Sequence, residues 1–269
     1  METPVRRIKP TMQETPLGGV SCIFLCHLLD LNPFPAPYFT SPNRDMAHPR
    51  IKAVAFDMDG LMFNTEDLYD EVGEILLQRR GQRFTNELKL SMMGLPGPDA
   101  FEIMRTRCGL SETIGELQSE CDAIFSDLLP AEIATMPGLE RLLELIETRR
   151  LPKCVATSSH RQFATRSLGF FELEPRFEFV LTCEDVVKGK PDPEVYLAAA
   201  SRMGVDPGSM LVLEDSFAGS TAAAAAGAYT IAIPTKHSAE MDFSHVDHVA
   251  GRLDDEAILD LFAEAPDQT

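Results

Sequence analysis

The chain has 269 residues, 44% hydrophobic and 25% charged, a composition of folded globular proteins and not of disordered or fibrous ones. Its 42 acidic residues outweigh 24 basic ones, a net charge of −18 that argues against docking on nucleic-acid phosphates or on an anionic membrane surface. No apolar run approaches the roughly 20 residues that span a bilayer, and six dispersed cysteines without a CxxC pair point to reduced thiols in a cytoplasmic protein.

Residues 1–50 differ from the rest. They hold eight of the 19 prolines, and five basic residues there face four acidic ones, so residues 51–269 carry −19. Proline at this density prevents a sustained helix or central strand. The apolar run from Val20 to Leu29 is short, and no small-x-small cleavage site follows it, so a signal peptide is not expected. The segment reads as a disordered extension, and Met46, just before the first strand, reads as a natural start.

From residue 51 onward strands and helices alternate. Short, continuous apolar runs at 51–56, 153–157, 177–181, 210–213 and 229–233 have the character of strands buried on both faces. Helical periods lie between them at Leu139/Leu142/Leu143/Ile146, Val195/Ala199/Met203 and the alanine-rich stretch 217–226. Repetition of this kind predicts α/β architecture: a doubly wound parallel sheet with crossover helices. Residues 65–136 interrupt it with four successive helical patterns, punctuated by Gly81 and Gly109, with Thr65 and Ser111 as candidate N-caps. They read as an inserted α-helical cap domain, leaving 51–64 and 137–269 as the catalytic core. Pro137-Gly138 marks the return.

In such sheets ligands bind at the carboxyl ends of the strands, so the residues that end each strand matter most. The first ends in Asp57-Met-Asp59-Gly60, the second in Thr157-Ser158-Ser159, and the fourth in Glu214-Asp215-Ser216. Lys188-Gly-Lys190-Pro comes after the third. Four carboxylates collected at one edge repel one another unless a cation joins them, and an all-oxygen donor set suits Mg²⁺. Each motif alone is an ordinary turn or cap; their joint occurrence in this order is not.

These residues resemble the haloacid dehalogenase-like hydrolase superfamily, in its DxDG phosphatase branch. The resemblance runs through Phe56-Asp-Met-Asp-Gly-Leu-Met-Phe-Asn-Thr-Glu66, Val155-Ala-Thr-Ser-Ser159, Lys188-Gly-Lys-Pro-Asp-Pro-Glu-Val-Tyr196 and Val212-Leu-Glu-Asp-Ser-Phe-Ala-Gly219, covering about residues 51–235. The helical insertion is similar to the small cap of the β-phosphoglucomutase-like subgroup. It implies Asp57 as a nucleophile forming an aspartyl-phosphate and Asp59 as the acid and base. Thr157 and the Ser158 N–H would bind phosphoryl oxygens, and Lys190 would bridge Asp57 and phosphate. Asp57, the Asp59 carbonyl and Asp215 would hold Mg²⁺, with Glu214 a ligand or a supporting partner.

Two departures bear on the reaction. Asn64 stands where the family often has Asp. Tyr69 stands where the mutase has a cap-side histidine, and Gly94-Leu-Pro-Gly-Pro98 lacks the mutase's arginine. Both mutase losses favour hydrolysis over the alternative of a phosphosugar mutase. A different class, a catalytically silent or phosphate-accepting regulatory module, is disfavoured by the helical insertion and by Asp59-Gly60. The expected partner is a small phosphorylated metabolite, with no nucleic acid, membrane or protein partner. His237, His245 and His248 read as solvated surface. Arg79, Arg80 and Arg83 are candidates for an anionic substrate or for the end of a helix dipole.

Overall fold

The computed structural model describes residues 50–92 and 97–262. The expected extension up to Pro49, with its Met46 start, and residues 94–96 of the glycine-proline loop lie outside them.

In chain order the elements are β1 (Ala53–Phe56), α1 (Thr65–Gln78), α2 (Asn86–Met92), α3 (Gly97–Arg107), α4 (Ile114–Glu132) and α5 (Leu139–Thr148). Next come β2 (Lys153–Ala156), α6 (Arg161–Gly169), β3 (Val180–Leu181), α7 (Glu194–Met203) and β4 (Met210–Glu214). The chain continues through α8 (Phe217–Ala225), β5 (Tyr229–Ala232), β6 (His248–Val249) and α9 (Glu256–Leu259). The six strands form one parallel sheet in the order β3-β2-β1-β4-β5-β6. This is the doubly wound α/β arrangement expected.

Side chains alternate cleanly through the sheet. Val54, Phe56, Val155, Leu211 and Leu213 join one apolar cluster with Leu142, Leu143 and Ile146 of α5 and Phe163 of α6. Ala53, Ala55, Cys154, Ala156, Met210 and Val212 join the other, against α7 and α8. That second face is built largely of small side chains, including Ala199, Ala200, Ala222 and Ala223. Small residues let α7 and α8 lie close to the sheet, which brings their first turns to its carboxyl edge.

Register then decides which groups meet there. Phe56 pairs with Val155 on one side and Leu213 on the other. The next residues along each strand, Asp57, Ala156 with Thr157, and Glu214, therefore emerge side by side.

Helices α1–α4 stand between β1 and α5. Leu68, Val72 and Leu76 of α1 and Leu117, Cys121 and Ile124 of α4 are buried in the same cluster as the first sheet face. The two connections run alongside each other: Asn64 N–H donates to Ala134 O (3.1 Å), and Met136 N–H to Met62 O (2.8 Å). The Asn64 side chain adds two bonds, accepting from Ala134 N–H (2.7 Å) and donating to Glu132 O (3.1 Å).

Several local expectations need correction. Thr113, not Ser111, caps α4, in a reciprocal capping box with Glu116. Asn64 is the N-cap residue of α1, and the Thr65 hydroxyl accepts from Gly60 N–H instead (3.2 Å). The run 177–181 yields only a two-residue strand, and Phe177 ahead of it packs edge-on against Phe56, 5.8 Å between ring centres. Helix α6 and strand β6 are additions that the sequence pattern does not predict.

The close approach of α8 makes a stability prediction. Ala222 is fully buried against β4, whereas Ala225 is exposed. Ala222→Leu should destabilise the fold by about 1–3 kcal/mol through overpacking, and Ala225→Leu by less than about 0.5 kcal/mol. Urea unfolding midpoints of the two variants measure the difference; equal midpoints would refute it.

Candidate active site

Asp57 comes directly after β1 and is fully buried; Gly60, at φ +78°, turns the chain away from the edge. A Cβ on Gly60 would lie 2.2 Å from Asp215 Oδ2, so the glycine serves both the turn and the approach of that carboxylate. Gly60 N–H donates to Phe63 O (2.9 Å), closing the turn.

Lys190 reaches this edge from the loop before α7 and is buried. Its Nζ donates to Asp57 Oδ1 (2.5 Å), Glu214 Oε1 (2.7 Å) and Ala156 O (2.9 Å), so all three ammonium hydrogens are used. The same Nζ lies 5.0 Å from the centre of the Tyr196 ring. Burial alone would push this ammonium down, but Asp57 and Glu214 at contact overturn that and hold it well above the ordinary lysine range.

Glu214 is the most heavily bonded acid of the group. Its Oε1 accepts from Lys190 and from the Tyr196 hydroxyl (2.8 Å). Its Oε2 accepts from Asp215 N–H (3.1 Å), Ser216 N–H (3.2 Å) and the Ser216 hydroxyl (3.0 Å). Ser216 also caps α8 by accepting from Gly219 N–H (3.0 Å). Gly219 leaves the room for this: a Cβ there would sit 1.6 Å from Glu214 Oε1.

On the other side of β1, Asp59 Oδ2 accepts from the Thr157 hydroxyl (3.0 Å) and the Ser159 hydroxyl (2.7 Å). Asp59 Oδ1 and Asp215 Oδ1 are buried with no hydrogen-bond partner among the described residues. Burial, then the charges of Asp57 and Glu214, push the Asp215 carboxyl well above the ordinary carboxylate range. Asp57, Glu214 and Asp215 offer ligand oxygens within 4.8 Å of one another. One lysine cannot neutralise three such acids, and carboxylate oxygens gathered this closely are a donor set that suits a divalent ion.

Asp57, Asp59, Thr157, Lys190, Glu214 and Asp215 thus share one sheet edge, and Ser158 stands half-buried beside Thr157. Tyr196, Ser159, Ser216 and Gly219 join them, although sequence reasoning assigned them no part. The other candidates lie elsewhere. Arg80 is taken by Glu112 and Glu120, and Arg79 by Glu120. Arg80 also donates to Leu76 O (2.7 Å), as a helix-end residue does. His237 is not solvated: its side chain is 9% exposed, held between Asp67 Oδ1 (2.7 Å) and Lys89 Nζ (2.7 Å).

Comparison with known proteins agrees with this geometry. Residues 54–233 match the family model of the haloacid dehalogenase-like hydrolases. The chain is 35% identical over 205 residues to (DL)-glycerol-3-phosphatase 2 of Arabidopsis thaliana, covering 73% of this chain and 84% of that one. It is 32% identical over 181 residues to a phosphorylated carbohydrates phosphatase of Thermotoga maritima, covering 66% and 82%. Validoxylamine A 7'-phosphate phosphatase of Streptomyces hygroscopicus is 33% identical over 192 residues, covering 70% and 88%. Among solved structures, CbbY from Rhodobacter sphaeroides in complex with phosphate superposes with a TM-score of 0.63 at 23% identity, covering 78% and 99%. A β-phosphoglucomutase from Clostridium difficile does so with 0.61 at 19%, covering 79% and 97%. At those identities the structures share the fold alone. The family match spans more than half the chain and falls on every strand end that carries the site, so the protein belongs to the haloacid dehalogenase-like hydrolases.

Proposed function

We propose that this hydrolase is a Mg²⁺-dependent phosphatase of small phosphate monoesters, working through an aspartyl-phosphate on Asp57. The observation that carries the reading is the pairing at the end of β1: a buried carboxylate fixed by Lys190, with a second carboxylate two residues on whose Oδ1 has no hydrogen-bond partner. Asp57 attacks phosphorus, and Asp59 protonates the departing alcohol and later takes the proton of the hydrolytic water. Thr157 and the Ser158 N–H bind phosphoryl oxygens, and Lys190 offsets charge beside Asp57.

Asp57, Asp215 and the Asp59 carbonyl would hold Mg²⁺. Glu214, with both oxygens given to protein donors, would orient Lys190 and Asp215 instead of contributing a full ligand. Bound there, the ion would neutralise phosphoryl charge. Residues 65–136 act as the cap over 51–64 and 137–269. Tyr69, in place of the mutase's histidine, stacks on Phe125 (4.8 Å), and Phe125 in turn packs on Phe163 (5.5 Å). An aromatic wall there favours hydrolysis over mutase chemistry, because a mutase must hold a second phosphate. The relatives above are phosphatases of glycerol 3-phosphate, of phosphorylated carbohydrates and of validoxylamine A 7'-phosphate, and a small phosphorylated metabolite is the substrate class. No helix of the described residues is long and apolar enough to cross a membrane. The six dispersed cysteines, none of them in a CxxC pair, are the support for a cytoplasmic setting.

Three outcomes test the reading. Asp57→Asn should abolish phosphate release from para-nitrophenyl phosphate, and excess EDTA should do the same reversibly; undiminished activity in either case sinks the mechanism. Since Asp215 holds its proton more tightly than usual, Mg²⁺ must displace it, so the ion should bind better as pH rises. The rise in melting temperature on adding Mg²⁺ should be larger at about pH 8 than at about pH 5; a shift that shrinks with pH contradicts the site. Gly219→Ala should raise helix propensity yet cut kcat about 100-fold, by displacing Glu214 and with it Lys190. Wild-type kcat in a folded Gly219→Ala variant would show that Glu214 does not set the geometry.

A further inference from the structure

Two hydroxyls converge on one oxygen of Asp59. The Thr157 hydroxyl (3.0 Å) and the Ser159 hydroxyl (2.7 Å) both donate to Oδ2, and Oδ1 is buried without a hydrogen-bond partner among the described residues. Further bonds tie the two residues to each other and to the next loop. Thr157 Oγ1 already accepts from Ser159 N–H (3.0 Å), and Ser159 O accepts from Cys183 N–H (3.2 Å). The loop after β2 is thus tied to the loop after β3, with the Ser159 side chain buried at 8% exposure.

A carboxylate oxygen held by an O–H donor is a poorer place for a proton than its neighbour without one, because a proton there competes with that donor. We propose that Ser159 is a positioning residue for proton transfer: its hydroxyl keeps Oδ2 occupied when the Thr157 hydroxyl turns to a phosphoryl oxygen, so that Oδ1 exchanges the proton. The inference rests on the reading of Asp59 as the acid and base. In the first half-reaction an Asp57 oxygen forms a bond to phosphorus and the bond from phosphorus to the substrate oxygen breaks. That oxygen takes the Oδ1 proton and leaves as the alcohol. In the second, water gives a proton to Oδ1 as its oxygen bonds to phosphorus, and the bond between phosphorus and Asp57 breaks to release phosphate. Both transfers use the same atom, which Ser159 keeps in place without touching substrate.

The measurement is kcat/KM for two esters on the same preparation: para-nitrophenyl phosphate, whose leaving group needs little protonation, and a glycerol phosphate, whose alkoxide needs it fully. The ratio of the two is unaffected by any inactive fraction, so partial misfolding cannot mimic the result. Ser159→Ala should lower the alkyl-ester value by about 10- to 100-fold and the aryl-ester value by less than about threefold. Ser159→Thr, which keeps a hydroxyl, should keep the wild-type ratio. An equal loss on both esters in Ser159→Ala, or a threonine variant as skewed as the alanine one, overturns the proposal. Asp59→Asn run alongside separates the two readings. Normal turnover of both esters by Asp59→Asn means that the role of Asp59 itself has failed. An alkyl-selective loss there, with an unskewed Ser159→Ala, means that only Ser159 has.

Discussion

The contact on which the rest depends is the buried ammonium of Lys190 between Asp57 and Glu214. Removing charges from water is costly, and only close geometry with every remaining hydrogen and lone pair satisfied offsets it. Breaking one member of such a set costs about 3–5 kcal/mol, since the others stay buried and unmatched. That demand explains features that would otherwise look unrelated. Tyr196 is fully buried yet keeps its hydroxyl as a donor, because burial and then Glu214 push it well above the ordinary tyrosine range. Ser216 serves both the Glu214 carboxylate and the first turn of α8. The alanines of α7 and α8 bring those groups within reach.

A second constraint sits on the opposite side of β1. Asp59 belongs to the turn that leaves the sheet, so the segment that places it also begins the helical insertion. Gly60 N–H bonds to both Phe63 O and the Thr65 hydroxyl, which couples the turn to the start of α1. The position of Asp59 is therefore set by three neighbours: the turn itself, Thr157 and Ser159.

Most of this edge could be read from residues alone, because periodicity and strand ends are local properties. Buried parallel strands announce themselves as short apolar runs, and the residue after each run necessarily lies at the carboxyl edge. The parts that escaped have physical reasons. Strand β6 is two exposed residues, too short and too polar to carry a pattern. Helix α6 interleaves Arg161, Gln162, Thr165 and Arg166 with few apolar residues, so only the sheet beneath it reveals its buried stripe. The cap of α4 is legible in the sequence, since Thr113 has a glutamate three residues on and Ser111 does not. Gly219 and Ser159 lie inside recognisable motifs, but their roles rest on tertiary distances, 1.6 Å from a hypothetical Cβ to Glu214 and 2.7 Å to Asp59, that no spacing encodes.

Asn64 turns one departure from the family's pattern into an argument about motion. Its amide accepts from Ala134 N–H and donates to Glu132 O, joining the two connections through which the insertion meets the core. A carboxylate in its place could accept from Ala134 but could not donate to Glu132 O, so one of the two ties would be lost. Phe63, in the first connection, stacks on Phe171 of the core (5.4 Å), and Tyr69 reaches the core again through Phe125 and Phe163. The polar tie and the Phe63 stack lie where the chain crosses between the two parts, and the Tyr69, Phe125 and Phe163 contacts lie beyond them. If the proposed cap moves over Asp57, it would have to exchange this stacked aromatic surface, so that packing and not loop length would limit the motion.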